Sequence, residues 1–121
     1  MISFDVITLF PDMLKTLHFG VTGRALERQL VELHCWNPRD FTEDKHRTVD
    51  DKSYGGGPGM VMKYEPMVRA ITAAKERSTL PATVIYLSPQ GKRLDQKTIK
   101  HLRQINGYCQ LLLYLNSASR L

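Results

Sequence analysis

The chain has 121 residues, 42% of them hydrophobic and 24% charged. That suffices for one domain with a modest core, and it excludes disordered, collagen-like and disulfide-scaffold classes. Seventeen Lys and Arg outweigh twelve Asp and Glu, giving a formal charge of +5, a balance that points to a polyanionic partner. No run approaches the roughly 18 apolar residues of a spanning helix, so no membrane association is expected. The first ten residues lack a basic head and carry Asp5, so they do not read as a signal peptide. Cys35 and Cys109 sit in apolar runs without metal spacing, and both read as reduced core residues of a cytoplasmic protein.

In chain order, residues 3–9 are rich in β-branched side chains and stop at Pro11, which predicts a first strand. Pro11 and Asp12 open a short helix with an apolar stripe of Met13, Leu14 and Leu17. Thr22 is the expected N-cap of a second helix ending near Leu30. Val31, Leu33 and Cys35 alternate with Glu32 and His34, predicting a strand with one covered and one partly wet face. Residues 37–61 show no period. A connection of that length is uncommon in a compact domain and is usually functional or disordered.

Met67, Ala70, Ile71 and Ala74 mark a helix over 64–77, with Pro66 in its first turn. Residues 82–87 are almost continuously apolar, as in a central parallel strand, and Ser88–Gly91 is a tight connection. A helix over 94–105, with Asp95 in its first turn, and an apolar strand over 108–115 complete the order β-α-α-β-loop-α-β-α-β. This alternation predicts an α/β fold: a mostly parallel sheet flanked by helices on both faces.

In such a fold, ligands sit beyond the carboxyl ends of the strands. Four segments end there: Leu9-Phe10-Pro11, the loop after Trp36, Ser88–Gly91, and the residues after Leu113. The first half of the loop, residues 37–52, holds four basic and five acidic residues. The positive excess therefore lies on the helices, at Lys63, Arg69, Lys75, Arg77, Lys92, Arg93, Lys97, Lys100 and Arg103. These positions read equally as a solvated face or as phosphate contacts. His46, Arg47 and Asp50 are placed to form a small acid-base cluster, against the alternative of an ordinary exposed histidine. His18, His34 and His101 read as structural or solvated.

Tyr54-Gly55-Gly56-Gly57-Pro58-Gly59-Met60 is the most unusual stretch. Its glycines allow close backbone approach, either as a hinge or, preferably, as a wall for a planar group. It is neither a dinucleotide fingerprint nor a P-loop. No Ser-His-Asp, Cys-His or zinc pattern is legible. The residues alone reach an α/β ligand-binding enzyme domain directed at nucleic acid, or a generic α/β domain for another nucleotide.

Six blocks carry a resemblance. They are Ile7–Met13, Gly20-Val21-Thr22-Gly23-Arg24-Ala25, Trp36–Thr42, His46–Asp51, Tyr54–Met60 and Tyr86-Leu87-Ser88-Pro89-Gln90-Gly91. Together they resemble bacterial tRNA (guanine-N1)-methyltransferases over residues 1–113. The resemblance implies a SPOUT-class knotted α/β fold working as a homodimer. It implies methyl transfer from S-adenosylmethionine to N1 of the guanosine 3′ of the tRNA anticodon. Tyr86, Leu87, Ser88 and Pro89 would form the first wall of the cofactor pocket. His46, Asp50 and Gly59 would lie near the target guanine, and Arg24 would face the tRNA or the partner subunit.

The family assigns proton abstraction to an aspartate further downstream, so no complete catalytic set is expected here. After Leu113 the family continues with a Cys-Gly-Arg-Tyr-Glu-Gly-type loop, whereas residues 114–121 read Tyr-Leu-Asn-Ser-Ala-Ser-Arg-Leu. This tail reads like another reading frame or a premature end. The expectation is a truncated N-terminal domain over 1–113 with a non-family tail over 114–121. The knot-forming part and the C-terminal tRNA-binding helical domain would be missing. Such a chain is expected to be inactive alone; the alternative is a non-catalytic fragment that binds tRNA or pairs with another subunit.

Overall fold

A computed structural model describes residues 2–52, 60–77, 79, 81–88, 90–106 and 110–115. Strand β1 (Ile2–Ile7) leads into a 3-10 helix (Pro11–His18), helix α1 (Gly20–Glu27) and strand β2 (Val31–Trp36). A second 3-10 helix (Pro38–Phe41) and a short antiparallel pair, β3 (Asp50–Lys52) with β4 (Met60–Met62), follow. Helix α2 (Tyr64–Glu76), strand β5 (Ala82–Leu87), helix α3 (Gln96–Asn106) and strand β6 (Gln110–Leu115) complete the chain's described elements.

Four strands form one parallel sheet in the order β2-β1-β6-β5. Alternation along β1 divides its neighbours between two faces. Phe4 and Val6, with Val31 and Leu33 of β2, turn toward Leu14, Leu17, Ala25 and Leu26 around an apolar cavity of about 340 Å³. Asp5 and Ile7 turn the other way. There Ile7 meets Met67, Ala70 and Ala74 of α2, with Trp36, Phe41 and Ile71 packed alongside. Ala70 and Ala74 are fully buried, because only small side chains let a helix lie this close to a sheet.

The mostly parallel α/β fold is as the sequence implies, and α2 is built on the expected stripe. Several details differ. The first helix is a 3-10 segment, and the loop is not structureless, since it holds a 3-10 turn, β3 and most of β4. Helix α1 begins at Gly20, and Thr22 caps nothing: its hydroxyl donates to the Phe19 carbonyl at 3.1 Å. Residues 82–87 form an outer strand of the described sheet rather than a central one, with Val84, Tyr86 and Leu87 substantially exposed. An apolar run records a face needing cover, not a place in the strand order. Cys35 is exposed on the outer strand β2 rather than in the core; Cys109 lies outside the described residues.

Candidate functional site at the carboxyl end of the sheet

All four strands run the same way, so β1, β2, β5 and β6 end together. At one side of this end the chain leaves β2 and folds back over α2. Trp36 donates from Nε1 to Asp5 Oδ1 at 2.8 Å, and its ring lies 6.5 Å from Phe41, tilted by 38°. Asn37 caps the following turn by accepting from the Arg39 N–H at 3.0 Å. Arg69 of α2 donates to the Phe41 carbonyl at 3.3 Å and pairs with Glu43 at 3.0 Å. The loop returns through Val49, which is buried and accepts from the Lys63 N–H.

Between these anchors the chain makes a tight turn over residues 44–47. The Arg47 N–H reaches the Asp44 carbonyl at 3.2 Å, and Arg47 sits in the left-handed region at φ 52°. Its guanidinium pairs with Asp40 and donates to the Arg39 carbonyl at 3.2 Å. The Asp44 carboxylate accepts from the Thr48 N–H at 3.0 Å. Hydrogen bonds from Thr48 hold its carboxyl below the usual carboxylate range, helped by the charge of Lys63. His46 stands exposed at the tip of this turn. Thus Arg47 works within the loop as a clamp on Asp40 and the Arg39 carbonyl. A cavity of about 360 Å³ lies under the turn, lined by Phe41, Glu43, Asp44, Thr48, Tyr64 and Arg69 among others.

At the other side, β5 ends in Tyr86 and Leu87 and passes into a turn. The Gly91 N–H donates to the Ser88 carbonyl at 3.1 Å, and the Gln90 N–H to the Ser88 hydroxyl at 3.2 Å. A Cβ at Gly91 would stand 3.3 Å from that carbonyl, a tight contact. Tyr86 and Leu87 are about half exposed and Ser88 half-buried. Leu87 also closes the apolar cavity beneath α1.

Tyr86, Leu87 and Ser88 therefore lie at the carboxyl end of the sheet, and His46 lies in the loop that leaves β2 from that same end. Two strands stand between their parent strands, a span of about 14 Å at the usual strand spacing. Among the described residues, the cavity under the loop and the cavity closed by Leu87 share no lining residue. Arg24 lies apart from His46: it is exposed on α1, which covers one face of the sheet, whereas the loop packs on α2 at the other. Asp50 begins β3, paired with Met62. Pro89, Gly59 and the glycine run 54–59 lie outside the described residues.

The basic residues do not act as one set. Arg77 turns inward and donates from Nε and Nη2 to the two oxygens of Asp5, both at 2.9 Å. It also reaches Ser3 Oγ at 2.7 Å and Glu32 at 3.5 Å, and Glu32 pairs with His34 at 2.6 Å. Its hydrogen bond to Asp5 raises its pKa, so this guanidinium is internally committed rather than a phosphate contact. By contrast Lys92, Arg93, Lys97, Lys100 and Arg103 line α3 and its approach, all exposed. The sequence reading missed the role of Asp5, although an acidic residue amid buried strand positions was a legible signal. Beside it, partial burial followed by the Asp5 charge pushes the Cys35 thiol up, away from a reactive thiolate. Among the described residues, no three His, Cys, Asp or Glu side chains gather as a metal site, and no helix is long and apolar enough to cross a membrane.

Comparison with known proteins agrees with this geometry. A family model described as "tRNA (Guanine-1)-methyltransferase TrmD" matches residues 2–113. The tRNA (guanine-N(1)-)-methyltransferase of Halorhodospira halophila is 56% identical over 112 residues, covering 92% of this chain and 41% of the relative. That of Pasteurella multocida is 58% identical over 100 residues, covering 82% of this chain and 41% of the relative. The crystal structure of tRNA (m1G37) methyltransferase from Aquifex aeolicus superposes with a TM-score of 0.79 at 30% identity, over 93% of this chain and 50% of that one. The chain thus spans about two fifths of the length of the curated relatives it matches, corresponding to their N-terminal portion. With its parallel sheet, its loop over α2 and these likenesses, the chain belongs to the tRNA (guanine-1)-methyltransferase family.

Proposed function

We propose that this chain supplies the N-terminal walls of a SPOUT-class methyl-transfer site. The reaction would move a methyl group from S-adenosylmethionine to N1 of the guanosine 3′ of the tRNA anticodon. The observation that supports this reading is the parallel sheet, from whose carboxyl end β5 passes into the Ser88–Gly91 turn and β2 into the loop that carries His46, inside a chain of this family.

The β5 tip suits one side of the cofactor. Tyr86 and Leu87 offer half-exposed apolar surface to an adenine or methionine moiety, and the Ser88–Gly91 turn presents backbone close by. When bound, the cofactor supplies an electrophilic methyl group. The chain's own residues bind and orient. Pro89 would continue the cofactor wall. Asp50 would accept a hydrogen bond from guanine N1–H or N2–H, His46 would contact the target nucleotide from its turn, and Gly59 would allow close approach. Guanine N1 is weakly acidic, so transfer needs a base or a partner for the developing charge. The family assigns that role to a later aspartate, beyond the region matched here. Arg24 would face tRNA or a second subunit of a homodimer working in the cytoplasm.

A direct test joins residues 1–113 to the remaining portion of the H. halophila relative. The hybrid is expected to methylate an unmodified tRNA transcript at that guanosine, and an inactive, folded hybrid overturns the reading. The 121-residue chain by itself is expected to give no turnover above a no-enzyme control, because one wall buries too little of a ligand. A second reading, a non-catalytic segment that binds tRNA, is favoured by the exposed basic residues along α3. Retention of tRNA with a steep salt dependence, without methyl transfer by the hybrid, would select it.

A further inference from the structure

Asp5 is fully buried in the middle of β1, beside buried Val6 and Ile7. A charge there is costly unless it is fully partnered. It accepts from Arg77 Nε and Nη2 and from Trp36 Nε1, all within 2.9 Å. Replacing a buried ion pair by well-packed apolar groups is often neutral or stabilising, so stability alone does not account for its presence. What a carboxylate provides, and an apolar side chain cannot, is a choice of indole orientation. Trp36 is the last residue of β2, immediately before the loop. Its ring packs on Phe41, the Phe41 carbonyl takes Arg69, and Arg69 holds Glu43. A continuous series of contacts therefore runs from the buried carboxylate to a point three residues before His46.

We propose that Asp5 is a positioning residue: through the Trp36 indole it sets the first turn of the loop that presents His46, and with it the loop's grip on an RNA substrate. The RNA part rests on the function proposed above; the ordering of the loop does not.

The two are separated by measuring native-state amide exchange on this chain and RNA binding on the hybrid described above. Trp36→Phe keeps an aromatic ring against Phe41 but removes the N–H. The hydrogen-bonded amides of Asp40, Arg47 and Thr48 are then expected to exchange about tenfold faster, with β1 and α2 unchanged. Asp5→Asn, which keeps an acceptor for the indole, is expected to retain this local protection while lowering global stability. Asp5→Leu is expected to lose both. Unchanged loop exchange in Trp36→Phe, or a uniform rise across the whole chain, overturns the proposal, and Trp36→Phe decides even where an Asp5 variant fails to fold. With an anticodon stem-loop RNA, the hybrid of residues 1–113 with the remaining portion of the H. halophila relative is expected to bind, and its Trp36→Phe variant to bind about tenfold more weakly. Equal affinity overturns the RNA part. Absence of binding by the unsubstituted hybrid overturns the proposed function, while amide exchange still decides the positioning role.

Discussion

A methyl group on residue 23 would stand 2.2 Å from the His18 carbonyl oxygen. The 3-10 helix therefore runs into α1 at a distance only glycine permits, which is the physical content of one position in the Gly20–Ala25 block. Gly23→Ala is expected to cost about 1–3 kcal/mol through forced backbone movement, read as a lowered unfolding midpoint in urea. Gly20 differs: it has open space around it, but φ of +66° makes any side chain strained there. Arg77 shows the opposite limit of legibility. The sequence groups it with the surface cations, yet it neutralises Asp5. Arg77→Leu takes the guanidinium away from a fully buried carboxylate and is expected to destabilise by about 3–5 kcal/mol, far more than the same change at the exposed Arg103. A single sequence shows that an arginine ends a helix; it does not show that an aspartate 72 residues away lies beneath it.

Among the elements, α2 was the most legible, because Met67, Ala70 and Ala74 follow helical spacing and face one sheet. The ends of elements were less so. Asp95 was expected inside the first turn of α3; it precedes Gln96 and accepts from the Thr98 N–H at 2.8 Å, acting as a cap. Hydrogen bonds from the Thr98 side chain and backbone hold its carboxyl below the usual carboxylate range, as those from Thr48 do for Asp44. A depressed folded pKa means stabilisation that is present above 3.8 and is lost as pH falls through the folded value. Helical signal is therefore expected to drop on acidification past pH 3.8, and Asp95→Ala to show a weaker drop from a lower start. An equal acid response in both proteins would show that the cap carries no pH dependence. The loop resisted sequence reading for a different reason. Its order comes from single contacts, such as Arg47 with Asp40 and Arg69 with Glu43, and these leave no period in the sequence.

At the scale of the molecule, fold class was readable and strand order was not. Alternating strands and helices imply a parallel sheet, but neighbours are chosen by contacts between distant segments. The candidate site shows the same division. Its two segments could be assigned to strand ends, whereas their separation across β1 and β6 depends on the order β2-β1-β6-β5. Large apolar side chains remain exposed, among them Met13, Phe19 and Val21 near α1, and Val84 and Tyr86 on β5. A chain with this much uncovered apolar surface is expected to associate with itself. Sedimentation velocity should show a mass that rises with concentration, and a monomer at all concentrations would contradict this.

The same strand order has a consequence for synthesis. Strand β6 is made after the other three, yet it pairs with both β1 and β5, so that Phe4 meets Leu111. Until β6 emerges, the β1 edge that it covers and the β5 strand that it joins to the sheet are both left open. The nascent chain is thus most vulnerable to stray pairing between the emergence of β5 and that of β6, when a holding chaperone would do the most good.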